Sequence, residues 1–251
     1  MKVGLIGSGN VATVLGRLLL QHNHTVTQVI SRELSHAKIL ATEMNAHSDD
    51  FSGTPDASAD VFIIAVADSA LQGCLEQFDV GNKLVVHTAG SVAMDVLKNV
   101  SANYGVLYPL QSLRKEMPLL PSVPFLVDGN TPDVTEFIRV FALSLSPHVS
   151  VTNDDERLKL HTAAVIVSNF TNHLYAIAED FCIKEKIDFK LLRPLIVETA
   201  QRIENISPSE VQTGPAIRKD IHTLDKHLRL LSAHPKLRTT YLRLTDSIMN
   251  P

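Results

Sequence analysis

The sequence predicts an α/β protein: a mostly parallel sheet over residues 1–152, followed by an all-helical region over residues 153–251. Three observations carry this. An apolar strand pattern ends at Gly7-Ser8-Gly9 and passes at once into a helical pattern. Apolar runs then alternate with helical stretches as far as Val151. Beyond Asn153 no convincing strand pattern follows.

The first strand is carried by Val3, Leu5 and Ile6, and the first helix by Val11, Leu15, Leu18 and Leu19. Between them lies Gly7-Ser8-Gly9-Asn10-Val11-Ala12. In a strand–turn–helix context such a glycine motif binds a dinucleotide. Gly7 permits the tight turn, Gly9 lets a pyrophosphate approach the backbone, and Ala12 lets the helix lie close to the strand. The free amides and positive dipole end of the helix then face the phosphates. The first domain is therefore expected to be a Rossmann-like, dinucleotide-binding unit.

The second strand, Thr25 to Ile30, is β-branched and ends in Ser31-Arg32-Glu33. At this point an acidic residue would accept the ribose 2′-OH of NAD, whereas an arginine pairs with the 2′-phosphate of NADP. A guanidinium beside a small hydroxyl residue suits a phosphate, so NADP (as NADPH) is the expected cofactor. The acidic Glu33 keeps NAD as the alternative, unless it is only a helix-start residue that complements the dipole.

Leu34 to Met44 reads as a helix and Val61 to Val66 as a buried strand, followed by Ala67-Asp68-Ser69 and a helix to about Phe78. Leu84 to His87 is the next strand, running into Thr88-Ala89-Gly90-Ser91 and a short helix to about Val100. Gly105 to Tyr108 ends in Pro109-Leu110-Gln111. Ligands of parallel sheets sit beyond the carboxyl ends of the strands. Three segments are therefore expected to face the same crevice as the glycine loop: Ala65–Ser69, with Ala65, Val66 and Ala67; His87–Ser91, with His87, Thr88 and Gly90; and Pro109–Ser112. Lys115 to Pro124 is a proline-bearing loop, and Phe125 to Val127 a short strand. Thr131-Pro132 starts a helix with proline at its first position, and Val149 to Val151 closes the sheet.

The second domain opens with a long helix from about Asp155 to Lys186. At helical spacing Ala163, Ile166, Val167, Phe170, Leu174, Ile177 and Phe181 form one apolar arc. His161, Ser168, Asn172 and Tyr175 lie opposite, with Asn169 on the flank. His161 to Ala178 holds no Asp, Glu, Lys or Arg, yet its Asn, His, Thr and Ser content is too polar for lipid, so a buried protein helix is expected. Uncharged polar groups on such a helix need partners in the protein or in a ligand. The remaining helices are expected over Asp188 to Asn205, Leu224 to Leu231 and Leu237 to Met249, with a capping box at Ser207-Pro208-Ser209-Glu210 and an interruption at Gln212 to Pro215.

A net charge of −4 and the lack of a basic tract exclude nucleic acid and anionic membranes as main partners. The N-terminus has no signal-peptide progression. Cys74 and Cys182 follow no metal or redox spacing and read as reduced core thiols of a cytoplasmic protein.

Almost the whole chain resembles a family of small bacterial proteins labelled NADP oxidoreductases, whose helical C-terminal domain has no assigned function. The resemblance rests on the glycine motif, His87-Thr88-Ala89-Gly90-Ser91, Tyr108-Pro109-Leu110-Gln111, Asn169-Phe170-Thr171-Asn172-His173-Leu174 and Gln212-Thr213-Gly214-Pro215-Ala216-Ile217-Arg218-Lys219-Asp220. That family's architecture is similar to pyrroline-5-carboxylate reductase, deazaflavin-dependent NADP oxidoreductases and β-hydroxyacid dehydrogenases. The resemblance implies a homodimer formed through the C-terminal helices, which also close the active site. In the β-hydroxyacid dehydrogenases a Lys on the long helix acts as general acid/base and an Asn four residues later orients the substrate. With Asn169 at the Asn position, the Lys position is Val165. That mechanism does not transfer. His161 and His87 remain as candidate acid/base groups, since imidazole titrates in the useful range, and Asn169 and Asn172 as substrate ligands. The leading expectation is an oxidoreductase passing hydride between NADPH and a small carbonyl or imine held between the domains. The alternatives are a catalytically silent NADP(H)-binding or sensor protein and, less well matched to Ser31-Arg32, a methyltransferase.

Overall fold

The computed structural model describes residues 1–75 and 80–250. It divides into two compact units, Met1–Ser168 and Asn169–Pro251. The change of pattern after Val151 therefore precedes the division, because the first helix beyond the sheet stays with the sheet.

The first unit holds strands β1 (Lys2–Ile6), β2 (Thr25–Ile30), β3 (His47–Asp49), β4 (Val61–Ile64), β5 (Leu84–His87), β6 (Tyr104–Pro109), β7 (Phe125–Gly129) and β8 (Val149–Val151). They form one sheet in the order β3-β2-β1-β4-β5-β6-β7-β8. All neighbours run parallel except β6 and β7, which are antiparallel. The central strands are buried on both faces, so they read as continuous apolar runs such as Val61-Phe62-Ile63-Ile64. The edge strand β3 is short and polar, His47-Ser48-Asp49, and carries no periodic signal in the sequence.

Helix α1 (Asn10–Gln21) packs Ala12, Val14, Leu15, Leu18 and Leu19 onto one face of the sheet. Full burial of each Leu contributes about 1.5–3 kcal/mol. Helices α2 (Leu34–Met44), α3 (Asp68–Leu75) and α4 (Pro132–Leu143) complete the layers. The expected capping of α4 is present, with Thr131 accepting from the Val134 amide. The expected end of α3 near Phe78 lies outside the described residues, as does the side chain of Cys74. The helix expected from Ser91 to Val100 is instead a single 3₁₀ turn, Met94–Leu97, anchored by fully buried Leu97.

Helix α5 (Asp154–Ala164) begins with a complete capping box between Asn153 and Glu156. Two ties hold it to the segment that leaves β5. Asp154 accepts from the Met94 amide at 3.1 and 3.2 Å, and Arg157, 1 % exposed, donates to the Val92 carbonyl and to Asp154. A buried guanidinium without such partners would cost several kcal/mol (order of magnitude).

The single long helix expected from Asp155 to Lys186 is broken in register. α5 passes into a π-helical stretch, Val165–Phe170, and then into α6 (Thr171–Lys184). Nor is it buried: Val167 is 72 % exposed, and Ile166, Phe170 and Leu174 also face solvent in the single chain. The apolar arc is real, but one copy of the chain does not cover it.

The second unit continues with a 3₁₀ turn Phe189–Leu192, α7 (Arg193–Arg202), α8 (Ile221–Leu230), a 3₁₀ turn Leu231–Ala233 and α9 (Pro235–Met249). Ser207 to Glu210 does not cap a helix. The Glu210 amide bonds the Ser207 carbonyl, and the two serine hydroxyls lie 2.9 Å apart, which closes a turn. Cys182, Ala216, Leu224 and Leu231 are the only buried apolar side chains among the described residues of this unit. No helix among the described residues is long and apolar enough to cross a membrane.

Candidate functional site

The sheet order reverses direction between β1 and β4, and the crevice of such a sheet opens at the carboxyl ends of those strands. A cavity of about 290 Å³ lies there. Its lining includes Gly7, Ser8 and Gly9 from the end of β1, Ser31 and Arg32 from the end of β2, and Ala65, Val66 and Ala67 from the end of β4. These are eight of the residues expected to hold a cofactor.

The two glycines of the turn act differently. Gly7 has φ +122°, and a Cβ there would come within 2.2 Å of the Ala65 carbonyl oxygen. Its amide donates to the Ile30 carbonyl at 2.7 Å, which locks β1 to β2 at the turn. Gly9 is extended and has no heavy atom within 4 Å of a built Cβ. The fold itself leaves room for a side chain at Gly9, so the open space there is available to something outside the chain. No side chain caps α1, so its first amides, which follow Gly9, have no side-chain partner. Ser8 Oγ and Ser31 Oγ lie 2.7 Å apart. Among the described residues, the Arg32 side chain has no ion-pair or hydrogen-bond partner. Glu33 stands at the N-cap of α2 but its carboxylate does not cap it, so it neither completes the helix nor neutralises Arg32. A cradle of bare amides, two hydroxyls and an unpaired guanidinium suits a phosphate-bearing ligand.

Asn10 and Val11 do not line the cavity. Asn10 Oδ1 accepts from the Lys115 amide at 3.1 Å and so ties the loop after β6 to α1, while Val11 packs against the core. Thr88 is buried, with both amide and hydroxyl on the Ile64 carbonyl. His87 is 0 % exposed, and its Nδ1 accepts from the Ala89 amide at 3.1 Å. Burial, followed by the Arg157 charge, lowers its pKa to about 4, so the ring is neutral near pH 7. A ring so enclosed reaches no substrate, and its expected acid/base role gives way to a structural one under the strand end.

His161 has a different setting. Its Nδ1 lies 2.9 Å from the Tyr108 hydroxyl, and the two rings meet edge-on with centroids 5.8 Å apart. Tyr108 sits near the carboxyl end of β6, two strands from β4. Gly90, after β5, lies against the pair: a Cβ there would meet His161 Nδ1 at 2.6 Å and Tyr108 Cζ at 2.9 Å. The absence of a side chain at Gly90 is what lets α5 approach. Burial, then the nearby Asp68 carboxylate, raises the Tyr108 pKa, so the phenol keeps its proton. Asp68 in turn accepts from Ser91 Oγ at 2.5 Å, joining the ends of β4 and β5. Arg157 stands one turn before His161 on α5, so the buried ties of Arg157 also set the position of His161.

Asn169 and Asn172 belong to the second unit and are exposed there. Sequence reasoning missed Tyr108 as a partner of His161, and His36, which lines the same cavity as Arg32. A tyrosine closing a strand of this sheet was the available signal for the first. The second was legible as a histidine in the first turn of the helix that follows Arg32.

Residues 123–248 match the family described as a domain of unknown function, DUF2520, and residues 2–90 match the family described as NADP oxidoreductase, coenzyme F420-dependent. A Bacteroides fragilis structure described as a "putative NADP oxidoreductase" is 35 % identical, with TM-score 0.90, covering 100 % of this chain and 98 % of its own. The chain belongs to this DUF2520-bearing NADP oxidoreductase family. Within it, the glycine cradle falls in the oxidoreductase half, and His161 in the DUF2520 half. The fold is shared more widely. A pyrroline-5-carboxylate reductase from Streptococcus pyogenes is 13 % identical with TM-score 0.65, covering 100 % of this chain and 99 % of its own. A reductive aminase from Aspergillus terreus, in complex with NADPH and ethyl-5-oxohexanoate, is 17 % identical with TM-score 0.62, covering 99 % of this chain and 89 % of its own. Comparison with curated proteins finds no match.

Proposed function

We propose that this family member binds NADPH along the carboxyl ends of β2, β1 and β4 and reduces a small carbonyl or imine near Tyr108 and His161. The observation that carries the reading is the Tyr108–His161 pair, held against Gly90 at the ends of strands adjoining the glycine cradle. NADPH, when bound, supplies the hydride. The chain's own residues then have two tasks.

The first is binding. The α1 amides and Gly9 receive the pyrophosphate, the Ser8–Ser31 hydroxyls the ribose, and Arg32 the 2′-phosphate. The second is a proton for the substrate heteroatom. As an imidazolium, His161 donates Nδ1–H to the Tyr108 hydroxyl oxygen and holds the transferable proton on Nε2. Protonation by the imidazolium balances hydride addition: one C–H bond and one O–H or N–H bond form as the C=O or C=N π bond breaks, and neutral imidazole is left. Asn169 and Asn172 remain candidate substrate ligands under this reading.

The cofactor half is tested by titration calorimetry with NADPH and NADH. NADPH is expected to bind at least about tenfold tighter, and Arg32→Ala to remove most of that preference, since a phosphate–guanidinium contact contributes about 1.5–3 kcal/mol. Failure of both nucleotides to bind would end the reading. A protein that binds NADPH but turns over no carbonyl or imine would instead be a silent NADP(H)-binding protein.

The reading includes a homodimer. The first unit ends on exposed Ile166 and Val167, and the second leaves Phe170, Leu191 and Leu195 in solvent, with Leu191 at 72 % exposure, and buries few apolar side chains of its own. A second copy would cover that surface. Sedimentation equilibrium is expected to give twice the chain mass, and a monomer at micromolar concentration would overturn this part.

A further inference from the structure

The cavity at the glycine cradle has a second basic side chain that the reading above does not use. His36, in the first turn of α2, lines the cavity together with Ser31 and Arg32. It also lines an adjoining cavity of about 250 Å³, shared with Ser8 and Lys115. Among the described residues, the imidazole has no hydrogen-bond or ion-pair partner.

The charges facing it are few. Arg32 and Glu33 flank it on the β2–α2 connection. Arg17 of α1, Glu43 of α2 and Lys115 of the loop after β6 face it across the adjoining cavity. Arg17 and Glu43 neutralise one another through two contacts, at 2.5 and 3.2 Å. What remains is Arg32 and Lys115 against Glu33. The local balance is cationic, and it grows by one charge when the His36 imidazole takes a proton. His36 is also within the first turn of a helix, where unpaired amides add to the attraction for an anion.

We infer that His36 is a second, titratable ligand of the cofactor's 2′-phosphate and makes the preference for NADPH over NADH proton-linked. The inference rests on the binding mode proposed above and assigns a residue that mode leaves idle. A phosphate dianion beside an imidazole draws a proton onto the ring. Binding of NADPH then takes up a proton at slightly alkaline pH, whereas NADH, which lacks the phosphate, does not. The extra attraction is complete where imidazole is already charged and is lost as the pH rises past its titration in the complex.

The test is calorimetric titration of the full-length protein with NADPH and with NADH, at about pH 6.5 and about pH 8.5, on either side of the ordinary imidazole range in a complex. In the wild type the ratio of the two affinities is expected to be about fivefold larger at the lower pH, the size of one partly exposed charge pair. Titrations of NADPH in two buffers of different ionisation enthalpy are expected to show proton uptake at the higher pH. His36→Gln should abolish both effects and leave NADH binding unchanged, because it keeps the residue's size and polarity on an exposed helix turn. His36→Lys should restore a high ratio that no longer rises toward the lower pH. The phosphate's own titration weakens NADPH binding at the lower pH, opposite in sign to the His36 effect, and remains in His36→Gln as the baseline. A wild-type ratio that rises no more toward the lower pH than that of His36→Gln, or proton uptake at the higher pH that survives in His36→Gln, overturns the inference while leaving the NADPH reading intact. Failure of both nucleotides to bind overturns the two together.

Discussion

Turnover by a His161→Ala variant is expected to fall by about 10²- to 10⁴-fold, the usual contribution of a positioned acid, with NADPH affinity within about twofold of wild type. The assay is NADPH oxidation against a panel of small carbonyls and cyclic imines. The reasoning is local. His161 is the partly exposed imidazole at the strand ends, its Nδ1 is held by Tyr108 at 2.9 Å, and His87 is enclosed and neutral. Tyr108→Phe keeps the ring packing and removes only the hydroxyl. It should cost less, about tenfold, and displace the pH profile of kcat, because the imidazole loses the partner that selects its tautomer. A His161→Ala enzyme with turnover within about threefold of wild type would move the proton donor elsewhere.

The second large effect separates folding from binding at the glycine turn. Gly7→Ala places a methyl 2.2 Å from the Ala65 carbonyl oxygen on a backbone at φ +122°. It is expected to destabilise the protein by about 2–4 kcal/mol and to abolish NADPH binding in what remains folded. Gly9→Ala meets nothing in the protein and has an ordinary backbone. Its melting temperature should stay close to wild type, while its NADPH affinity falls by at least about tenfold as the methyl enters the phosphate space. Thermal melts with and without NADPH, together with calorimetry, read both quantities. Equal NADPH affinity in Gly9→Ala and wild type would mean that no phosphate approaches that residue.

Much of the first unit was legible because its signals lie within short windows. Val61-Phe62-Ile63-Ile64 is strand wherever a sheet is covered on both faces, and Leu84 to His87 and Val149 to Val151 fall where their apolar runs place them. β3 was not legible, because His47-Ser48-Asp49 pairs with β2 through backbone bonds that carry no side-chain pattern. The short helix after Ser91 was over-read. There the chain makes one 3₁₀ turn, held by a carboxylate from Asp154, a residue remote in sequence.

The sequence by itself determined the alternating sheet region, the glycine turn with its bare helix start, the arginine after β2 and the change to helices after Val151. Each is set by period, by backbone freedom or by one residue at a strand end, and all of these are local. Only the tertiary structure decided that His87 is enclosed and His161 is not, that Tyr108 reaches His161, that Arg157 is buried beneath the strand ends, and that His36 shares a cavity with Arg32. It also decided that the apolar arc after His161 passes through a π-helical register change and stands uncovered in the single chain. These outcomes depend on which distant segments pack together, and on how a helix is wound, and no window of sequence contains either.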